Sequence, residues 1–283
     1  VIINHVCTMN EERATWRYRV AIPAPAIQAL GHEVWTDDKP RDGAVNVWHK
    51  HGKYLPWDRF EGGVFDVTDD HFNNERREHY IKHCKAARVV TTSSHAMADR
   101  IAEETGVDAV YIPDAYEFPH RPHEWHGGQS VMWFGHGSNF DTLRNVQLDC
   151  PLEVVTNCTH PGGDGNVRMT PWSHETMLRA FSRHDIVIIP QFMDRAKESA
   201  KGNNRAVNAL RQGKVVIASD IPSHRELDDY IYIVRGQETF LDGIQWARAN
   251  PDAAATMVAA GQAYVQRWYS PEEAASRWVE ALE

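Results

Sequence analysis

Residues 199–220, SAKGNNRAVNALRQGKVVIASD, carry the densest chemistry in the chain. They read as a loop, a helix start, a short amphipathic helix stopped by Gly213, and a buried strand. Lys201, Gly202, Asn203, Asn204 and Arg205 crowd the turn that opens the helix. Backbone N–H groups and the positive end of the helix dipole favour an anion there, and the two cations suit a diphosphate. Gly202 permits close backbone approach. The plainer reading makes Asn203 or Asn204 an N-cap, with Lys201 and Arg205 a solvated surface pair. Spacing alone leaves both open.

A second turn, WFGHGSN at 133–139, follows an apolar run and precedes a helical pattern. Gly135, Gly137, Ser138 and Asn139 there suit phosphate or ribose. The stretch is not GxGxxG, which argues against a dinucleotide site. Near the N-terminus, Arg17 and Arg19 flank Tyr18 in TWRYR, where they could face an anionic group or lie exposed. The run DVTDDH at 66–71 sets Asp66, Asp69 and Asp70 close together. Like charges repel, so Arg, Lys or hydroxyl partners are expected, and Asp69 or Asp70 is a candidate acid, base or hydroxyl grip. The pattern is DxxDD rather than DxD, and no metal is expected. Sixteen His also lack metal spacing; His49/His51 and His120/His123/His126 read as solvated or hydrogen-bonding groups. Cys7, Cys84, Cys150 and Cys158 contain no CxxC and read as reduced thiols.

These residues must be placed by an alternation of strand and helix. Strands are expected at 1–6, 33–36, 44–49, 63–67, 88–92 and 108–112, with helices at 22–30, 71–85 and 94–105. Ser94 opens the last of these and Gly106 closes it. Residues 113–128 hold three Pro, two Gly and three His without periodicity, the best linker in the chain. The alternation then restarts, with strands at 130–134, 152–156, 185–190, 214–218 and 231–234. Helices are expected at 140–146, 173–183 and 203–211, and a helical tail from Thr239 breaks at Asn250-Pro251 and Ser270-Pro271. The fold class expected is α/β, two Rossmann-like doubly wound domains facing a central cleft. The division is 1–115, a linker 116–128, 129–270, and a terminal helix 271–283 that packs back on the first domain.

With 283 residues and 30 Lys+Arg against 39 Asp+Glu, the net charge is −9. That balance opposes binding to phosphate backbones through bulk charge, though Arg13, Arg17, Arg19, Lys50 and Lys53 could line a local basic cleft. No apolar run approaches the roughly 20 residues that span a bilayer. The first residues lack a basic and apolar leader pattern, so a soluble, cytoplasmic protein without stable membrane insertion is expected.

The chain resembles GT-B glycosyltransferases, near glycosyltransferase family 4, in a compact version. The likeness rests on RYRVAIPAPAIQALGHEV (17–34), VWHK (47–50), FDVTDDHF (65–72), VMWFGHGSN (131–139), DIVIIP (185–190) and, above all, KGNNRAVNALRQGKVVIASDIPSHRE (201–226). It implies transfer of a sugar from a nucleotide-diphosphate sugar to an acceptor hydroxyl in the cleft, retaining and metal-independent. No cofactor is implied beyond the co-substrate, a UDP-, GDP- or ADP-sugar. The acceptor is a glycan, a small molecule or a modified DNA hydroxyl. Lys201 and Arg205 would stabilise the departing diphosphate with the 135–139 turn, and Trp172 would stack on the base or pack in the core. Asp69 or Asp70 would serve the acceptor hydroxyl, with Arg17, Arg19 and Lys50 on the facing wall. Family 4 members usually carry two Glu eight residues apart, where this chain has Ala200 and Asn208; Asn208 could bond the ribose as a neutral group. That departure keeps a second reading in view, a catalytically degenerate GT-B protein that only binds a nucleotide or glycan.

Overall fold

The computed structural model describes residues 1–7, 13–49, 60, 62–144, 146–158, 166–193 and 200–283. They form two compact units: Val1–Glu117 with Ser199–Gly202 and Arg267–Glu283, and Phe118–Glu198 with Asn203–Gln266.

The first unit is built on a parallel sheet of β1 (Ile2–Val6), β2 (Glu33–Asp37), β3 (Val45–His49), β4 (Val64–Val67), β5 (Val89–Thr92) and β6 (Ala109–Tyr111), in the order β2-β1-β3-β4-β5-β6. All four residues of β4 are buried, as in a parallel strand covered on both faces. Its helices include α1 (Ala24–Ala29), α2 (Arg77–Ala86) and α3 (His95–Thr105). The C-terminal helix Pro271–Leu282 belongs here too. Its Ala275, Trp278 and Leu282 enter the core formed by Ile3, Ile27, Val47 and Val64.

Local chemistry accounts for the ends of these helices. Ser94 Oγ accepts the Met97 amide and caps α3, and Gly106 ends it in the left-handed region at φ +71°. The helix expected over 22–30 is preceded by a turn at Ala14–Trp16 and a π-helical turn at Arg17–Ala21, which together bury Tyr18, Arg19 and Val20. The helix expected over 71–85 begins only at Arg77. Asp70 Oδ1 accepts the Phe72 amide at 2.8 Å and Asn74 Oδ1 the Arg76 amide at 2.9 Å, and such side-chain turns compete with helix.

The second unit repeats the plan with β7 (Val131–Phe134), β8 (Leu152–Thr156), β9 (Val167–Pro171), β10 (Ile186–Ile189), β11 (Val215–Ser219) and β12 (Tyr232–Val234), in the order β12-β11-β10-β7-β8-β9. Around it lie α4 (His174–Arg183), α5 (Asn204–Arg211), α6 (Pro222–Arg225), α7 (Phe240–Ala249) and α8 (Pro251–Trp268). β9 was not expected: its VRMTP lacks an apolar run, which an edge strand tolerates, as it tolerates the closing Pro171. The helix expected over 140–146 is a 3₁₀ turn at Gly137–Leu143. The irregular stretch 118–128 is tied to this unit. Arg121 N donates to Arg211 O at 3.1 Å, His123 Nδ1 to Gly213 O at 2.7 Å, and Gly128 N to Asp185 Oδ2 at 2.9 Å.

Candidate functional site

In the second unit the chain leaves β7 first toward β8 and β9, then returns to its other side with β10. The carboxyl ends of β7 and β10 therefore bound the switch point at which open parallel sheets bind ligands. Two of the expected elements meet there. Arg205, on the first turn of α5, donates from Nη1 to Phe134 O at 3.4 Å, and its guanidinium carbon lies 6.0 Å from the centre of the Trp133 ring. A Cβ on Gly135 would lie 3.0 Å from Trp133 and 3.5 Å from Arg205 Nη1, so the glycine makes room for both. Asn203 turns its side chain away from the helix start. It forms no side-chain cap and donates from Nδ2 to Ser223 O at 3.4 Å and Glu226 Oε2 at 3.3 Å. A cation and the dipole of α5 thus converge beside the Gly135 backbone, an arrangement that stabilises an anion.

The turn after β7 does not present the open amides expected of it. Gly135 N donates to Val155 O at 3.1 Å, Gly137 N to Asn157 Oδ1 at 3.0 Å, Ser138 N to His136 Nδ1 at 3.2 Å and Asn139 N to His136 O at 2.9 Å. These local bonds shape the turn, so any ligand there meets its side chains and Arg205 before its amides. Trp172 is half-buried, and its amide donates to Thr156 O at 2.8 Å, which places it beside the end of β8. Asn204 is half-buried, and its carbonyl accepts from Asn208 Nδ2 at 2.8 Å. Asn208 itself is fully buried with its neighbours Val207, Ala209 and Leu210, because it falls within the packed face of α5 rather than on open surface.

Two groups here had no signal in the sequence. Among the described residues, the buried Thr156 Oγ1 and Ser223 Oγ have no hydrogen-bond partner, and unpaired buried polar atoms are costly. Thr156 closed a run that reads as ordinary strand, and Ser223 lay in the 201–226 stretch without being singled out. His224 is a third: burial, opposed by its bond to Ser219 O and reinforced by Arg205, pushes its pKa down to about 4. The ring is neutral at pH 7, so positive charge at this end of the sheet comes from Arg205 and not from His224.

In the first unit the corresponding switch point lies between β1 and β3, and a buried polar chain crosses it. Asp66 on β4 accepts from Arg19 at 2.7 and 3.1 Å, from His49 Nδ1 at 2.9 Å and from Thr91 Oγ1 at 2.8 Å. His49 donates from Nδ1 to Asp66, and its Nε2 lies 2.7 Å from His5 Nδ1, within hydrogen-bonding distance. Burial would raise the Asp66 pKa, but Arg19 and His49 outweigh it and hold the carboxyl well below the usual range. Burial, then His49, hold His5 well below its ordinary value and therefore neutral.

Arg19, expected on an open wall, is instead 1% exposed. Its guanidinium also reaches Ile112 O and Asp114 and lies 4.9 Å from the Trp278 ring centre. It lies in the π-helical turn Arg17–Ala21, where Tyr18 and Val20 are buried with it. Arg17 pairs with Glu117 at 2.6 Å. Asp70 is buried in its turn, bonded to Phe72 N and Asn73 Nδ2 with Arg100 at 3.5 Å, so its carboxylate shapes that turn. Asp69 is half-buried beside it. Lys201 and Gly202 belong to the first unit and Arg205 to the second, so the residues read as one cationic turn are divided. Ser94 Oγ donates to Ala200 O at 3.0 Å, and a Cβ on Gly202 would lie 3.6 Å from Ser93 O. Lys50 and Lys53 lie outside the described residues. Among the described residues no group of three or more His, Cys, Asp or Glu could hold a metal, and no helix is long and apolar enough to cross a membrane.

No family model matches the chain, and no curated protein matches it. Solved structures do match. HepE of Anabaena, in a complex with UDP and glucose, superposes with a TM-score of 0.71 over 99% of this chain and 99% of that one at 12% identity. A glycosyltransferase from Rickettsia africae follows at 0.66, with 99% and 97% covered, also at 12% identity. TarM, known from S. aureus, gives 0.63 at 12% identity over 92% of this chain, which spans 58% of TarM's length. The fold they share with this chain is GT-B.

Proposed function

We propose that the chain is a glycosyltransferase that takes a nucleoside-diphosphate sugar and passes the sugar to an acceptor hydroxyl. The observation that carries this reading is Arg205, seated against Phe134 O and Gly135 at the switch point of the second sheet. As the anomeric carbon becomes oxocarbenium-like, negative charge grows on the departing diphosphate. A preorganised guanidinium and a helix dipole stabilise that charge more than they stabilise the ground state. HepE has been captured with UDP and with UDP-glucose, which makes UDP-glucose the first donor to test.

On the acceptor side, Asp69 is the carboxylate assigned to the hydroxyl, because it stands just after β4, at the carboxyl end of the first sheet; Asp66 and Asp70 are committed to the partners named above. The same commitment supports a metal-independent reaction in which Arg205 neutralises the diphosphate, with no cofactor beyond the donor itself. Retention of anomeric configuration completes the proposal.

The test is calorimetric binding of UDP, GDP and ADP together with release of UDP from UDP-glucose. Arg205→Ala should keep its circular dichroism spectrum and lose about 2–4 kcal/mol of transition-state stabilisation, the amount typical of one oxyanion donor. Unchanged turnover in that variant would overturn the assignment. A second reading, binding without transfer, is favoured by Ala200 and by the buried Asn208, which leave no carboxylate at either position. Tight UDP binding with no consumption of any donor would select it.

A further inference from the structure

An asparagine just before a helix ordinarily caps it, its side-chain oxygen accepting an amide of the first turn. Asn203 is buried and forms no such cap. It spans instead to the segment after β11, donating from Nδ2 to Ser223 O at 3.4 Å and to Glu226 Oε2 at 3.3 Å. That segment has its own anchors. His224 Nδ1 donates to Ser219 O at 2.7 Å, and Ser219 Oγ accepts the Gln191 amide at 2.9 Å, which fixes α6 to the carboxyl ends of β10 and β11. Glu226 is the residue that closes α6. His224 also lies near enough to Arg205 for the guanidinium to oppose its protonation. The opening turn of α5 is therefore held on two sides within the second unit: Arg205 reaches Phe134 O at the end of β7, and Asn203 reaches α6. Of the two acceptors that Asn203 uses, the Glu226 carboxylate is the charged one, and hydrogen bonds to ionised acceptors are the stronger kind.

We propose that Glu226 is a positioning residue for donor recognition: through Asn203 it sets the first turn of α5, and with it the seat of Arg205 against the diphosphate. The proposal rests on the donor reading given above. Glu226 acts through the bond that its oxygen accepts, without touching the donor. Arg205 lies two residues beyond Asn203, so a tilt of that turn moves the guanidinium away from Phe134 O and Gly135. A misplacement of about 1 Å at such a group costs on the order of 100-fold in rate. The seat of Arg205 decides how firmly the second phosphate is held. Glu226 thereby governs the preference for a nucleoside diphosphate over the corresponding monophosphate.

The experiment titrates the full chain and its variants calorimetrically with UDP and UMP, GDP and GMP, and ADP and AMP, with circular dichroism melts alongside. For the pair that binds, the unaltered chain should prefer the diphosphate. Glu226→Ala should cut that preference by about fivefold or more and leave monophosphate affinity within about twofold. Glu226→Gln keeps an acceptor oxygen for Asn203 and should restore the preference. Asn203→Ala should reproduce the loss, which keeps the test decisive if Glu226→Ala does not fold. In an Arg205→Ala chain, Glu226→Ala should change diphosphate affinity by less than about twofold, because no guanidinium is left to place. A full diphosphate preference in folded Glu226→Ala or Asn203→Ala, or a loss that persists without Arg205, would overturn the proposal while the donor reading stands. A loss in Glu226→Gln equal to that in Glu226→Ala would overturn it too, by showing that the charge is used and not the bond to Asn203. An unaltered chain that binds none of UDP, GDP and ADP would bring down the donor reading, and this proposal with it.

Discussion

Arg19 and Asp66 are 1% and 0% exposed, and each supplies the other's compensating charge. Replacing one member of such a pair leaves a buried charge with reduced compensation. Asp66→Asn should cost about 3–5 kcal/mol in urea denaturation. Glu175→Gln should change stability by no more than about 0.5 kcal/mol, because the Arg179–Glu175 pair sits in water with both side chains more than half exposed. A second expectation concerns pH. His224 titrates near 6.5 when unfolded and at about 4 when folded, so the folded chain resists its protonation. The stabilisation is complete above pH 6.5 and is lost as pH falls toward 4, on the order of 3 kcal/mol over that window. His224→Gln should flatten that part of the profile, measured as urea midpoints between pH 7 and 4; an unchanged slope would show that other groups set it. At this scale the three carboxylates of 66–70 were legible as a cluster needing partners, and Asp66 and Asp70 meet arginines and a hydroxyl as expected. Which carboxylate becomes the hub was not legible. Residues 66 and 69 differ by three positions along the chain, but one lies inside β4 facing Arg19 and the other follows the strand.

Two glycines separate the effect of backbone conformation from that of packing. Gly31 ends α1 at φ +90° with nothing within 4 Å of a would-be Cβ, whereas Gly213 stands at φ +69° with Pro122 O at 2.7 Å and Arg121 O at 2.8 Å. Alanine at 31 should cost about 1–3 kcal/mol, the strain of a left-handed residue alone. Alanine at 213 carries the same strain and also pushes the carbonyl oxygens of 121 and 122 away from the turn that ends α5. Its thermal midpoint should therefore fall further than that of Gly31→Ala; equal midpoints would show that 118–128 yields freely. Element positions follow from such local signals, which is why capping at Ser94 and Ser270 and the stops at Gly31 and Gly106 were readable. β9 was not, because an edge strand buries too little side chain to need an apolar run. The start of α2 was misplaced for the opposite reason. Residues 71–76 have helical composition, but Asp70 and Asn74 offer their backbone amides a competing partner.

Each unit has its own core, yet the first is discontinuous along the chain. Trp278 and Leu282 reach it from the far terminus and pack with Ile3, Ile27 and Val64. A fragment of residues 118–266 should accordingly fold with one cooperative transition, whereas residues 1–117 alone should not, since they lack the C-terminal helix. Circular dichroism melts of both fragments test this, and a cooperative melt of 1–117 would refute it. Strand and helix alternation, the two-unit plan and the GT-B resemblance were all present in the sequence, because periodicity and caps are properties of neighbours along the chain. What brought Arg205 to Gly135, turned Arg19 into the core, buried Asn208 and joined Asn203 to Glu226 was decided only in three dimensions. Those contacts join residues tens of positions apart, and the packing of separate strands and helices determines which of them meet.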